Sequence, residues 1–232
     1  MEDKFKSFDI EIRRITAEGW LPEEFAQKVC ELTFLGKSNI SLDALFRSEH
    51  SPVRSQQYFI VFKNIPLFIS THFIRHHVGS IPFQLTCRDD RKGGNVGLKS
   101  KLMLFAKSCL ELDEVDEEQL NELYGSIDRY TKVNLGIIVN AQALIDMAKL
   151  RLCNQSHKET IFVMNILKQK LSEVAPELTP YLVPKCVYRG GICGEPNACK
   201  WNKTKAFQKA LTEYLGNFED KQISTNLEKY KK

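Results

Sequence analysis

Arg75-His76-His77-Val78-Gly79-Ser80-Ile81-Pro82-Phe83-Gln84-Leu85-Thr86-Cys87-Arg88 is the stretch around which this chain is organised. It concentrates two arginines, two of the five histidines, a Gly-Ser pair and a run of neutral hydrogen-bonding side chains. A guanidinium offers a planar fork of donors matched to phosphate oxygens, and exposed backbone amides add to it. No other span of this length holds as many anion-binding groups, so the stretch reads first as a site for a phosphate-bearing ligand. An apolar segment, Ile65 to Ile74, leads into it, and Asp89-Asp90-Arg91 follows it.

The composition frames that reading. A chain of 232 residues, 43% hydrophobic and 27% charged, can bury one substantial core. Thirty-three Lys and Arg against 29 Asp and Glu leave a net charge of +4, too little by itself to indicate nucleic-acid binding but compatible with an anionic small ligand. Apolar stretches are broken by Lys, Asn or Asp, so no membrane span is expected. Met1-Glu2-Asp3-Lys4 lacks a signal-peptide core. Seven unevenly spaced cysteines argue against a secreted disulfide framework, and a reducing, cytoplasmic setting is the expectation.

Outward from the motif, the chain alternates strand and helix signals. Phe8 to Thr16 reads as a strand. Leu21-Pro22-Glu23-Glu24 opens a helix whose apolar stripe is Phe25, Val29, Leu32 and Leu35. Ser41 caps a short helix that ends at Glu49-His50-Ser51-Pro52. Tyr58 to Phe62, rich in aromatic and β-branched residues, reads as a buried strand. Asn64-Ile65-Pro66 then reads as the entry to a helix running to about His77. Lys92 to Gly97 is a Gly-rich basic loop, and Leu120, Leu123, Ile127 and Tyr130 have helical spacing. Asn134 to Leu152 reads as one strongly apolar helix, Glu159 to Val174 as another. Three prolines at 176, 180 and 184 precede a cysteine-bearing loop, and an amphipathic helix with a polar tail closes the chain. The fold class is therefore α/β (α+β), a central sheet flanked by long helices. One domain is expected over residues 1–205, with a cysteine-bearing loop at 184–201, followed by a C-terminal helix and tail at 206–232.

At this point the residues resemble a family. Residues 75–88 are similar to the flavin-dependent thymidylate synthase (ThyX) signature RHRxxSxNExSxR. Arg75-His76-His77, Ser80 and Gln84-Leu85-Thr86-Cys87-Arg88 follow it, with His77 in place of Arg, Phe83-Gln84 in place of Asn-Glu, and one extra residue near Ile81-Pro82. Val139-Asn140-Ala141 through Leu150-Arg151, then Glu159-Thr160-Ile161, resembles the family's VNARSLxNFLxLR…AQxEIR segment. His50-Ser51-Pro52 is similar to its H-x-S/T-P turn. The three blocks keep family order across roughly residues 40–180. The family's G-x-x-x-E-x-A-R-x-x-L-P block has no counterpart here; Arg129 and Lys132 are the candidates to replace its arginine.

The resemblance implies a homotetramer with FAD at subunit interfaces, acting on a pyrimidine deoxynucleotide with methylenetetrahydrofolate and NADPH as co-substrates. The implied product of dUMP is dTMP. Arg75, His76 and His77 are then expected at the flavin and its phosphates, with Ser51 and Asn140 beside them. His72, Gln84, Thr86, Arg88 and Arg151 are expected at the nucleotide, and Arg151 and Gln84 nearest the reacting base. Plain structural readings stand beside these. A His-Arg cluster at a helix end suits the negative end of the dipole, Ser51 can cap a turn, Arg151 can serve a helix C-terminus, and Cys87 can be a packing residue. Asn140 on an apolar helix requires a partner, because an unpaired buried amide is costly. Gln84 in place of a carboxylate leaves dCMP or a hydroxymethylated product open as alternatives, as well as a non-catalytic nucleotide- or nucleic-acid-binding protein on the same fold. Cys186-x6-Cys193-x5-Cys199 fits no usual zinc spacing. Although His50 or His157 could supply a fourth ligand, no metal site is assigned.

Overall fold

The computed structural model describes residue 5 and residues 7–33, 36–85 and 131–229, with side chains to residue 218. Thr86, Cys87, Arg88, the basic loop and the helical spacing at 120–130 lie outside the described residues.

Four strands make one antiparallel sheet in the order β1-β2-β4-β3, with β1 at Asp9–Ile15, β2 at Gln57–Pro66, β3 at Ser80–Gln84 and β4 at Lys132–Asn140. The central pair is β2 and β4, in a register that sets Tyr58 opposite Val139, Ile60 opposite Ile137 and Phe62 opposite Leu135. Those six side chains are buried, because alternation along a strand sends every second residue to the same face. On that face they join one core with Leu144, Ile145 and Ala148 of α4 (Ala141–Arg151) and Val163, Met164 and Leu167 of α5 (Lys158–Val174). The other helices among the described residues are α1 (Pro22–Thr33), α2 (Leu42–Ser48), α3 (Leu67–Ile74), α6 (Lys185–Tyr188) and α7 (Lys205–Lys229). Phe207 and Tyr214 carry α7 into the same core.

Ser41 caps α2 as expected, its Oγ accepting from the Ala44 amide at 3.2 Å. Three expectations need correction. The apolar run 134–152 is not one helix: β4 occupies its first part and α4 begins at Ala141. Val133, Leu135, Ile137 and Val139 are buried in strict alternation with Lys132, Asn134, Gly136 and Ile138, a strand period, and the β-branched residues among them suit a central strand. Second, Asn64-Ile65-Pro66 does lead into a helix, with Pro66 as its N-cap, but these residues belong to β2 and the helix ends at Ile74, short of His77. Asn64 sits at φ 55 in a register shift between Phe62 and Ile65, β2 continues to Pro66, and α3 starts at Leu67. A bulge residue in left-handed conformation suits Asn. Third, α1 buries Ala26 and Cys30, whereas Leu32 is 78% exposed. The buried side of the helix therefore centres one residue beyond the expected stripe.

The opposite sheet face carries Phe59, Val61, Ile138, Ile81 and Phe83, the last two 57% and 55% exposed on the edge strand. Among the described residues, no helix is long and apolar enough to cross a membrane.

Candidate active site

The motif straddles the end of α3 and the edge strand β3, and it faces the last turn of α4. Helix α3 stops at Ile74, with Arg75 as its C-cap. Its last carbonyls need outside donors. Arg151, at the end of α4, supplies one: its Nη2 donates to the His72 carbonyl at 2.9 Å, while its Nε donates to His76 Nε2 at 2.9 Å. The loop then turns back. Ser80 Oγ donates to the His76 carbonyl, and the Asn140 amide donates to the Gly79 carbonyl at 3.0 Å. Gly79 has φ +78, and a Cβ there would lie 2.5 Å from Asn140 Nδ2, so this crossing of loop and helix start admits only glycine without displacement.

Asn140 is not on a helix face. It is the last residue of β4 and the N-cap of α4, its Oδ1 accepting from the Ala143 amide at 2.9 Å. That satisfies the polar side chain whose partner the sequence left open. His72 is held from α5: its Nδ1 lies 2.8 Å from Oγ1 of the fully buried Thr160. The Phe68 ring stands edge-on to both His72 and His157, at centroid distances of 5.7 and 4.9 Å.

The geometry fixes charge states. Because Arg151 Nε donates to it, His76 Nε2 must carry a lone pair, which places the ring proton of the neutral tautomer on Nδ1. Burial first, then the Arg151 charge, pushes His76 down to about 4, so the ring is neutral at physiological pH. Arg151 is itself pushed down, by burial and by the neighbouring Arg75 guanidinium.

Carboxylates near α4 are engaged elsewhere. Glu49 Oε2 accepts from Gln142 Nε2 at 2.6 Å and Lys149 Nζ at 3.4 Å, and Asp146 Oδ1 accepts from Lys149 at 3.0 Å. Lys149 Nζ also sits 3.6 Å from the centre of the Tyr188 ring. Among the described residues, neither Arg75 nor Arg151 has a carboxylate partner. Two like charges close enough for one to lower the other leave guanidinium donors without a carboxylate to balance them among the described residues.

The structure thus brings His72, His76 and Arg75 at the end of α3 to Arg151 at the end of α4, whereas Asn140 sits at the other end of α4, against Gly79. His77 adjoins them but is exposed, with its Nδ1 3.2 Å from the Arg75 carbonyl. Ser51 is the exposed first residue of a short 3-10 turn, Ser51–Ser55. That turn leads to α4 through the Ala141 amide, which donates to the Gln56 carbonyl at 2.8 Å. Gln84 is exposed at the end of β3, where its Oε1 accepts from Ser70 Oγ at 2.9 Å. No hydrogen bond among the described residues links Ser51 or Gln84 to the Arg75–His76–Arg151 group. Lys132, considered as a replacement for the family arginine, is in β4 with Nζ 5.2 Å from the Phe5 ring. Sequence reasoning missed Thr160 as the partner of His72, and the Glu49–Gln142–Asp146–Lys149 network. The spacing of 142, 146 and 149 along one helix was the available signal for the network.

The class these features define is an α+β fold in which a four-stranded antiparallel sheet and a layer of helices meet at a basic cluster. The fold is shared with the solved structure of PolB, a UMP/dUMP methylase from Streptomyces cacaoi bound with 5-Br UMP. That structure has 13% sequence identity, covers 77% of this chain and 96% of its own, and superposes with a TM-score of 0.51. Thymidylate Synthase X (ThyX) from Helicobacter pylori with FAD and dUMP is matched at 14% identity over 77% of this chain and 99% of that one, with a TM-score of 0.49. No protein-family model matches the chain, and no curated protein matches it in sequence.

Proposed function

We propose that this chain is a flavin-dependent enzyme that transfers a one-carbon unit to C5 of a pyrimidine nucleotide. The observation that carries the reading is Arg151, hydrogen-bonded to neutral His76 and lowered by the neighbouring Arg75 guanidinium, with no carboxylate partner for either arginine among the described residues. An FAD pyrophosphate or a nucleotide phosphate fits that donor set. The fold shared with a UMP/dUMP methylase supports the substrate class.

On this reading Arg75, His76 and His77 hold the flavin phosphates, with Ser51 and Asn140 along the same side of α4. His76 Nδ1–H remains available as a donor, because Nε2 is occupied by Arg151. Arg151, Gln84, His72, Thr86 and Arg88 take the nucleotide, and Arg151 and Gln84 lie nearest the reacting base. Arg151 orients by being itself oriented: two hydrogen bonds into the end of α3 leave one edge of the guanidinium for a ligand. Gln84 is neutral, so it both donates to and accepts from the base edge. When bound, FAD supplies the redox chemistry and NADPH the reducing equivalents, with methylenetetrahydrofolate as the one-carbon donor.

A homotetramer belongs to the same reading. The apolar sheet face around Phe59, Ile138, Ile81 and Phe83 is the kind of surface another copy covers. A reducing cytoplasmic setting belongs to the same reading.

The test is incubation with FAD, NADPH and methylenetetrahydrofolate and, separately, UMP, dUMP or dCMP, with product masses read directly. A methylated uracil nucleotide is the expected product. A colourless protein that takes up no added FAD, or one that leaves every nucleotide unchanged, overturns the reading.

A further inference from the structure

Four cysteines from two distant parts of the chain meet away from the arginine cluster. Cys153 lies just past the end of α4, Cys186 lies in α6, and Cys193 and Cys199 lie in the loop that follows. All four line one cavity of about 20 Å³, together with Lys185 and Trp201. All four are free thiols. His50 and His157, the fourth ligands considered from sequence, do not line it; Cys153 takes that place.

The loop around them needs something to hold it. Residues 192–199 form no helix or strand. The backbone turns through left-handed conformations at Gly190, Gly191 and Lys200. Ile192 is 68% exposed, so the loop has little core of its own. Its ties to the rest are single hydrogen bonds: Asn202 Nδ2 donates to the Gly191 carbonyl at 2.9 Å, and Gln155 Nε2 donates to the Asn197 carbonyl. A small irregular segment of this kind is commonly stapled by a disulfide or a metal.

We propose that Cys153, Cys186, Cys193 and Cys199 are the four ligands of a structural zinc ion. Four thiolates make the closed tetrahedral set that zinc takes in structural sites. The cavity, of about 20 Å³, has room for about one water-sized particle, which suits a single ion. Lys185 and Glu195 both line the cavity and offset one another, while Arg189 and Lys200 in the same loop add positive charge against that of four thiolates around a divalent ion. No three of these side chains are already set at a coordination point, so the ion draws the thiols together as it binds. Because Cys153 is two residues past Arg151, the ion would tie the end of α4 to the loop and hold the segment that carries the guanidinium.

The full chain, purified under reducing conditions, should carry one zinc per chain by elemental analysis. After chelation, added cobalt(II) should give the visible bands and sulfur-to-cobalt charge-transfer absorption of a tetrahedral thiolate site. Cys193→Ser and Cys199→Ser, both in the loop, should each lower metal affinity at least tenfold, while Cys30→Ala in α1 should leave it unchanged. A reduced, folded chain that holds no zinc and gives no cobalt–thiolate spectrum overturns the proposal. So does an intact mass showing these cysteines paired in disulfides. The cobalt titration of the unmodified chain decides the matter even if a serine variant fails to fold.

Discussion

The two ends of α4 are held in opposite ways. At its start, backbone and cap groups satisfy one another: Asn140 Oδ1 accepts from Ala143, the Ala141 amide donates to Gln56, and the Asn140 amide donates to Gly79. At its finish, Arg151 reaches into the end of α3 and neighbours Arg75, and no carboxylate among the described residues balances the pair. The first end is closed and contributes stability. The second leaves positive charge without a carboxylate among the described residues. If the proposed function holds, one helix joins a structural terminus to a binding terminus, and substitutions at the two should separate folding from binding.

The largest effect is expected at the open end. Arg151→Ala should weaken binding of FAD or of the pyrimidine nucleotide roughly 100-fold, or about 3 kcal/mol, as when one partner of a charge-assisted contact is removed. Its melting temperature should move by only a few degrees. Calorimetric titration beside a thermal melt reads both; a collapsed melt with unchanged affinity would reverse the assignment of the two ends.

Next comes the closed end. Gly79→Ala should destabilise the fold by about 2 kcal/mol, since the new side chain meets both a left-handed backbone and the Asn140 amide. A lowered urea midpoint at constant slope would show it. A midpoint within error of the parent would mean that the loop yields freely at this crossing.

A smaller change sharpens the role of Asn140. Asn140→Ala should cost about 1 kcal/mol through the lost cap. Asn140→Asp keeps a capping oxygen and should retain most of the stability while losing the amide donors. If flavin affinity falls in the Asp variant although stability is kept, Asn140 serves the ligand as well as the helix; equal affinity limits it to the cap.

A further effect, confined to acid pH, is a tilt in stability. His76 is neutral in the fold, with its pKa lowered to about 4 from an ordinary 6.5. The unfolded chain therefore takes up this proton at higher pH than the folded one. The contribution of neutral His76 to stability is complete above about pH 6.5 and is lost as the pH falls toward 4. Replacing His76 by Gln should flatten the decline in urea midpoint between pH 7 and pH 5. An equally steep decline would place the responsible group elsewhere.

Much of this arrangement was legible in the residues, for reasons that differ along the chain. Pro22 with Glu23 and Glu24 marked the start of α1, and Ser41 marked the cap of α2, because local chemistry decides those positions. The boundary inside 134–152 was legible only in the alternation from Lys132 to Val139, which the apolar run of Ile137, Ile138 and Val139 directly before the buried helix α4 obscures. The site was legible as three blocks of residues but not as contacts. Nothing local to His76 indicates that Arg151, 75 residues away, donates to it, or that Thr160 holds His72. Likewise, Cys153 stood apart from the three downstream cysteines, and only the packing of α4 against α6 brings the four to one cavity.

The account rests on Arg75 and Arg151 as an anion site, and an FAD titration of the parent chain beside Arg75→Ala tests it most directly, with inorganic pyrophosphate as competitor. The parent should bind FAD, pyrophosphate should compete, and the variant should fold normally while its FAD affinity falls at least tenfold. FAD binding that is unchanged in Arg75→Ala, or a parent chain that binds neither FAD nor pyrophosphate, would contradict the account.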